Sequence, residues 1–186
     1  FGQRQSQEKS DWYSSEYVEQ TFRLLIEGIV PGNLRTFEVT LTNSYHFENL
    51  WYQCVVFHFD FSELFYAQLL DTARIEVLSK LGVVLQLVIG DTVPCYVMDP
   101  VKSTYVTILN IPEEGYDLES VFQSLEKLFK NDFDFFDVNI GIGLPVETTD
   151  QLLQSYNQAV SAVHKTEDAP FSYTYFQGCC LEQGYL

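Results

Sequence analysis

Four groups of residues in this chain have side chains and spacings that invite chemistry. Gly141-Ile142-Gly143 is a G-x-G at the end of an apolar run, the opening of a phosphate-cradling loop. The third glycine of such a loop is missing, Leu144-Pro145 follows, and the expected role is structural: small residues where a strand turns into a loop. Asp60, at the end of the apolar run 51–59, is the one acidic residue placed where open α/β sheets commonly build sites. Asp60 also suits the start of a helix, and that is the reading taken. Asp132, Asp134 and Asp137 interleave with phenylalanines in NDFDFFD. Alternation of Asp outward and Phe inward accounts for them, and a metal wants more oxygen ligands at fixed spacing. The vicinal Cys179-Cys180 pair is open to redox chemistry, but in a tail it is expected to face a following domain or to have no role. No residue is therefore assigned a catalytic, cofactor-binding or metal-ligating role.

Other chemistries lack their residues. There is no G-x-S-x-G nucleophile elbow and no Walker-type G-K-[ST]. Cys54 and Cys95 sit inside apolar stretches, where a thiol behaves as a small core residue. His46, His58 and His164 are scattered and no C-x-x-C occurs, a usage that fits a reducing cytoplasm better than a disulfide framework. The net charge of −16 comes from 26 acidic against 10 basic residues, and no basic stripe relieves it. Such a field repels phosphate backbones, so direct nucleic-acid binding is excluded as an expectation. No apolar run reaches the roughly 18 residues of a membrane span, and residues 1–11 are too polar for a signal peptide. The chain starts at Phe1, and the natural protein is expected to begin upstream.

At 186 residues and 46% hydrophobic, the chain suffices for one domain with a core. Residues 1–13 read as a linker, 14–176 as the domain and 177–186 as a second linker. A helix is expected over Ser15–Ile29, capped by Ser15, with Tyr17, Val18, Phe22, Leu25 and Ile26 on one face and Gly28 with Pro31 ending it. Residues 36–42 (TFEVTLT) alternate apolar and polar, which argues a strand. Residues 51–59 (WYQCVVFHF) lack polar alternation and read as a strand covered on both faces. Asp60 and Ser62 open a helix to about Lys80, stopped by Gly82, and the apolar run 83–89 follows. Residues 93–98 and 104–109 form a hairpin around Asp99-Pro100-Val101-Lys102-Ser103. Asp117 caps a helix over 117–130, 135–142 is a second central strand, and Thr148 with Gln151 is a capping box for a helix over 149–164. Residues 171–176 supply a last strand. The fold class expected is α/β (α+β): a single mixed, mainly antiparallel sheet with helices on both faces.

The stretch VNIGIGLPVETTDQLLQSYNQAVSAV (138–163) resembles the closing strand–helix unit of degenerate GGDEF-like domains, the nucleotide-cyclase-like modules in the middle of AraC-type bacterial transcription regulators. Ile140-Gly141-Ile142-Gly143, Leu153, Ser155, Tyr156, Ala159 and Ala162 fall on that pattern. FRLLIEGIV is similar to the helix that precedes the domain, VVFHFDFSEL to its first core strand, and VPCYVMDPVKSTYVTIL takes the place of the signature hairpin. Coverage is about residues 15–176. The resemblance would make 33–42 helix or loop. It also implies departures: an active cyclase has two glycines and an acidic pair at the hairpin turn, where this chain has Asp99-Pro100-Val101-Lys102-Ser103. Its Asp-x-Asp at the first strand is His58 and Asp60 here. Two-metal phosphoryl chemistry is then not expected, nor any cofactor.

The function expected from the resemblance is a cytoplasmic, non-catalytic relay and dimerisation domain of an AraC-type regulator. Its partners would be a second copy, held weakly through the opening helix, with an upstream sensor and a downstream helix-turn-helix domain in a parent protein that is free or membrane-anchored. The alternative is a sensor of the same fold that binds a nucleotide or small metabolite without turnover.

Overall fold

The computed structural model describes residues 15–163 and 168–178. The 1–13 linker, His164, Cys179-Cys180 and the tail beyond Gly178 lie outside the described residues. Chain order gives α1 (15–26), α2 (Leu34–Tyr45), β1 (Trp51–Phe61), α3 (Glu63–Gln68), α4 (Asp71–Gly90), β2 (Cys95–Val97), β3 (Thr104–Ile111), α5 (Glu119–Phe129), β4 (Phe136–Ile142), α6 (Leu152–Val163) and β5 (Phe171–Tyr175).

The five strands make one mixed sheet in the order β2-β3-β1-β4-β5. All neighbours are antiparallel except β4 and β5. The fold is thus α+β, as the sequence implied. The absence of polar alternation in β1 has its reason here: Cys54, Val55, Val56, Phe57 and Phe59 are at most 2% exposed, because both faces are covered. Val55, Phe57 and Phe59 pack against α4 and α5 through Leu81, Leu85, Phe122 and Leu125. Cys54 and Val56 pack on the other face with Phe22 of α1, Phe37 and Leu41 of α2, and Leu152 and Ala159 of α6. No described helix is long and apolar enough to cross a membrane.

Three local expectations are corrected. Residues 36–42 are helical, inside α2, and not a strand. Phe37 and Leu41 satisfy a period of two and an i, i+4 pair equally; both are fully buried, while the intervening Val39 is 52% exposed. Thr40 and Thr42 turn their hydroxyls back to the carbonyls of Thr36 and Glu38, four residues earlier. Gly82 does not stop a helix. The break comes at Leu69-Leu70, and α4 runs through Gly82 to Gly90, taking up the 83–89 run. A Cβ at Gly82 would lie 3.4 Å from the Tyr105 ring, so the glycine lets α4 settle on that side chain, whose hydroxyl donates to the Leu78 carbonyl. The capping box at Thr148 does not form. A 3-10 turn over Thr149–Gln151 precedes α6, Gln151 Oε1 accepts from the Glu147 amide (3.3 Å), and Thr148 Oγ1 donates to Asp150.

The 93–109 hairpin is present, closed by the two-residue turn Lys102-Ser103. Val101 and Thr104 exchange both backbone hydrogen bonds (3.1 and 3.0 Å). Lys102 (φ 50) and Ser103 (φ 63) are both left-handed, as a type I′ turn demands. Among the described residues no strand lies beside the outer edge of β2. Instead Gln86 of α4 donates to the Cys95 carbonyl and accepts from the Val97 amide, both at 3.0 Å, so one side chain satisfies the pair of backbone groups a sixth strand would take.

Candidate functional site

A cleft of about 790 Å³ opens between α1 and α6, over the middle of β1 and β4 and the start of β3. Its floor is apolar at one end, with Val56 and Val106, and polar at the other. The polar end follows from strand register. His58 of β1 lies opposite Thr104 of β3 and Asn139 of β4, and Asn139 opposite Ser172 of β5. A row of four polar side chains therefore crosses four strands at one level. His58 Nδ1 and Thr104 Oγ1 are 2.9 Å apart, and Ser172 Oγ donates to Asn139 Oδ1 at 3.0 Å. The walls come from Arg23 of α1, from Glu27 in the turn that follows it and from Tyr156, Val160 and Val163 of α6; Asp99, Val101 and Lys102 of the hairpin form the rim.

Helix α1 reaches this rim because Val18, Phe22 and Leu25 are buried on one stripe, which leaves Glu19 and Arg23 beside the hairpin. Gly28 (φ 82) ends its last turn, where the Ile29 amide bonds the Leu24 carbonyl at 2.9 Å. Glu19 and Arg23 are ion-paired at 2.8 Å. Together they hold both backbone groups of Asp99: Glu19 Oε1 accepts its amide and Arg23 Nη2 donates to its carbonyl, each at 2.8 Å. Tyr96 lies below this clamp, its hydroxyl pushed well up by burial and then by the Glu19 charge.

The residues singled out in the sequence divide between the cleft and elsewhere. His58 and the hairpin turn meet in it. Asp60 neither lines it nor starts a helix, the role the sequence implied: it lies inside β1, paired with Asp137 beyond the polar row, and Ser62 caps α3 instead by accepting the Phe65 amide. Burial first, and then the charges of Asp60 and Asp168, hold the Asp137 carboxyl above its usual range. Asp132 and Asp134 are exposed while Phe133 and Phe135 turn inward, as alternation implied. Among the described residues no group of three His, Cys, Asp or Glu side chains could hold a metal. Burial pushes the Cys54 thiol up and takes that of Cys95 up to about 12, so neither offers a thiolate nucleophile.

Gly141 and Gly143 are packing positions. A Cβ at Gly141 would fall 2.0 Å from the Ala159 carbonyl oxygen, and one at Gly143 2.0 Å from that of Ser155. The backbone of α6 lies directly on β4, and Ser155, Ala159 and Ala162 are the small helix residues that allow it. Ser155 Oγ also accepts the Cys54 amide at 2.9 Å, which ties α6 to β1. Sequence reasoning missed Arg23, Asn139 and Tyr156 as cleft residues. The first had no motif around it. Asn139, between Val138 and Ile140 in a strand otherwise rich in apolar residues, was the one available signal.

The divalent-metal pair that a nucleotide cyclase uses does not fit this donor set. The cleft's two carboxylates, Glu27 and Asp99, come from the turn after α1 and from the rim and share it with the cations Arg23 and Lys102; the strand carboxylate Asp60 stands outside, and no three His, Cys, Asp or Glu side chains gather among the described residues. The chain matches no protein-family model. No curated protein matches it either.

Proposed function

We propose that this chain is a non-catalytic regulatory domain of the degenerate GGDEF-like kind, relaying a signal through homodimerisation within an AraC-type bacterial transcription regulator. The observation that carries the relay is the clamp of Glu19 and Arg23 on both backbone groups of Asp99. Through it a displacement of α1 acts on the hairpin three residues before its turn. A helix transmits rotation or register where a flexible chain cannot, and a regulator reading two DNA half-sites needs a dimer whose geometry can shift. The strand order, with its central β1 and adjoining hairpin, supports the nucleotide-cyclase-like part of the reading. Cationic Lys102 in the turn, with His58 on the strand opposite Thr104, supports the non-catalytic part. The test is incubation with GTP and Mg²⁺ or Mn²⁺ followed by product analysis, alongside sedimentation of the chain. No cyclic dinucleotide and concentration-dependent self-association are expected; turnover, or a monomer at every concentration, overturns the proposal.

The cleft itself favours a second reading, a sensor that binds a small ligand without turnover. Its volume and its polar row suit a metabolite with one apolar and one polar end, the latter within reach of Lys102. Isothermal titration with GTP separates the two: sub-micromolar affinity without product favours the sensor.

A further inference from the structure

Helix α4 presents two ridges of four-residue spacing. Leu81, Leu85 and Ile89 are buried against the sheet. On the opposite side Ile75, Ser79, Val83 and Leu87 face solvent, with Ile75 and Leu87 each 67% exposed and Val83 56%. The last ten residues of the helix, 81–90, contain no charged side chain at all. Its first ten contain Asp71, Arg74, Glu76 and Lys80, two of each sign, so α4 is formally neutral on a chain of −16.

We infer that this outer ridge of α4 is where a second copy of the chain docks, an inference that rests on the dimerising function proposed above and names its surface. Charge selects the occupant. Two copies of a strongly acidic chain repel each other over most approaches, and a neutral apolar ridge is where that repulsion is least. A basic or acidic partner finds no opposite field on residues 81–90. A membrane surface is disfavoured too, since an interfacial helix carries a Lys/Arg-rich polar face, and α4 has only Arg74, which is paired to Asp71 at 2.8 Å, and Lys80. Geometry suits a twofold pairing. A ridge spaced by four residues packs into the matching grooves of its own copy at a steep crossing, and Ser79 leaves a notch between Ile75 and Val83. This replaces α1 as the expected contact. Of the α1 side chains, Val18, Phe22, Leu25 and Ile26 are consumed by the core, leaving Leu24 and Tyr17 each 37% exposed.

Sedimentation equilibrium of the full chain, with Leu87→Glu and, as a control on α1, Leu24→Glu, tests the assignment. Leu87→Glu is expected to weaken self-association roughly tenfold or more, with the urea midpoint unmoved at dilutions where the wild type is monomeric, because the position is exposed there. Leu24→Glu should leave it within about twofold. Added salt should tighten the wild-type dimer by screening the acidic surfaces. Wild-type association that Leu87→Glu leaves intact overturns the α4 surface but not the dimerising function, whether the contact proves to be Leu24 or another face. A wild-type chain that stays monomeric into the millimolar range overturns both.

Discussion

Replacing Gly141 with alanine adds one methyl group at the point where α6 lies closest to the sheet. The new carbon would stand 2.0 Å from the Ala159 carbonyl oxygen, 2.6 Å from Val163 Cγ2 and 2.7 Å from the Val163 amide nitrogen. Non-bonded contacts of this kind are comfortable at about 3.5 Å, so α6 has to withdraw by about 1 Å or more. A gap of that size forfeits a quarter to a half of each dispersion contact along the separated faces, and overpacked core sites lose typically about 1–3 kcal/mol. The Cys54 amide to Ser155 hydroxyl bond is stretched with it, for about 1 kcal/mol more. The sum, about 2–4 kcal/mol, is a large share of the roughly 5–15 kcal/mol that holds a domain folded. Urea unfolding reads it as a lower midpoint at constant slope. Ala159→Gly in the same chain should restore little, because the nearest atoms met belong to the helix backbone. Gly115→Ala, with nothing within 4 Å of the added carbon, should stay within about 0.5 kcal/mol of wild type. A Gly141→Ala chain with an unchanged midpoint would refute the close-approach argument. If that chain also lost affinity for a phosphate ligand, the nucleotide-loop meaning of G-x-G would return.

The hairpin turn carries two side chains in left-handed backbone, so Lys102→Asn with Ser103→Gly should raise stability by about 1 kcal/mol, read as a higher urea midpoint. Gln86→Leu removes both hydrogen bonds to the β2 edge and should lower stability by about 2 kcal/mol, with faster amide exchange at Val97. Asp137 keeps its proton to higher pH folded than unfolded, so the folded state binds more protons just above the ordinary value of 3.8 and stability falls as pH rises through that window. Asp137→Asn should therefore stabilise the chain near neutral pH, by no more than about 0.5 kcal/mol for a group only partly buried and screened by solvent, and give nothing below that window; equal gains at both ends of a pH series would point to a cause other than charge.

Much of the layout was readable because burial on two faces and burial on one leave different marks. The run 51–59 had no polar alternation, and β1 is the central strand. The stripe Val121, Phe122, Leu125 and Phe129 has helical spacing, and all four are buried in α5. Reading failed where two periods coincide, as at Phe37 and Leu41, and where a glycine served a neighbour, as Gly82 serves Tyr105. The cleft was harder still. The sequence shows His58 and the turn 99–103 as separate features, but their meeting depends on the register of β1 against β3, and Arg23 arrives from a helix 76 residues before its partner Asp99. Spacing along a chain carries no trace of such a contact.

The Gln86 seal on β2 bears on the kind of assembly this chain can build. A bare edge strand accepts the edge of another molecule and passes the vacancy on, so growth by that route is open-ended and leads to fibres. At β2 the seat is filled by a side chain of the same molecule, and an incoming strand would first have to evict it. Head-to-tail growth needs two complementary edges, and here one is closed. Association through a helix ridge about a twofold axis uses the same surface on both copies and exhausts it in one step. One glutamine thus favours finite assemblies over polymers.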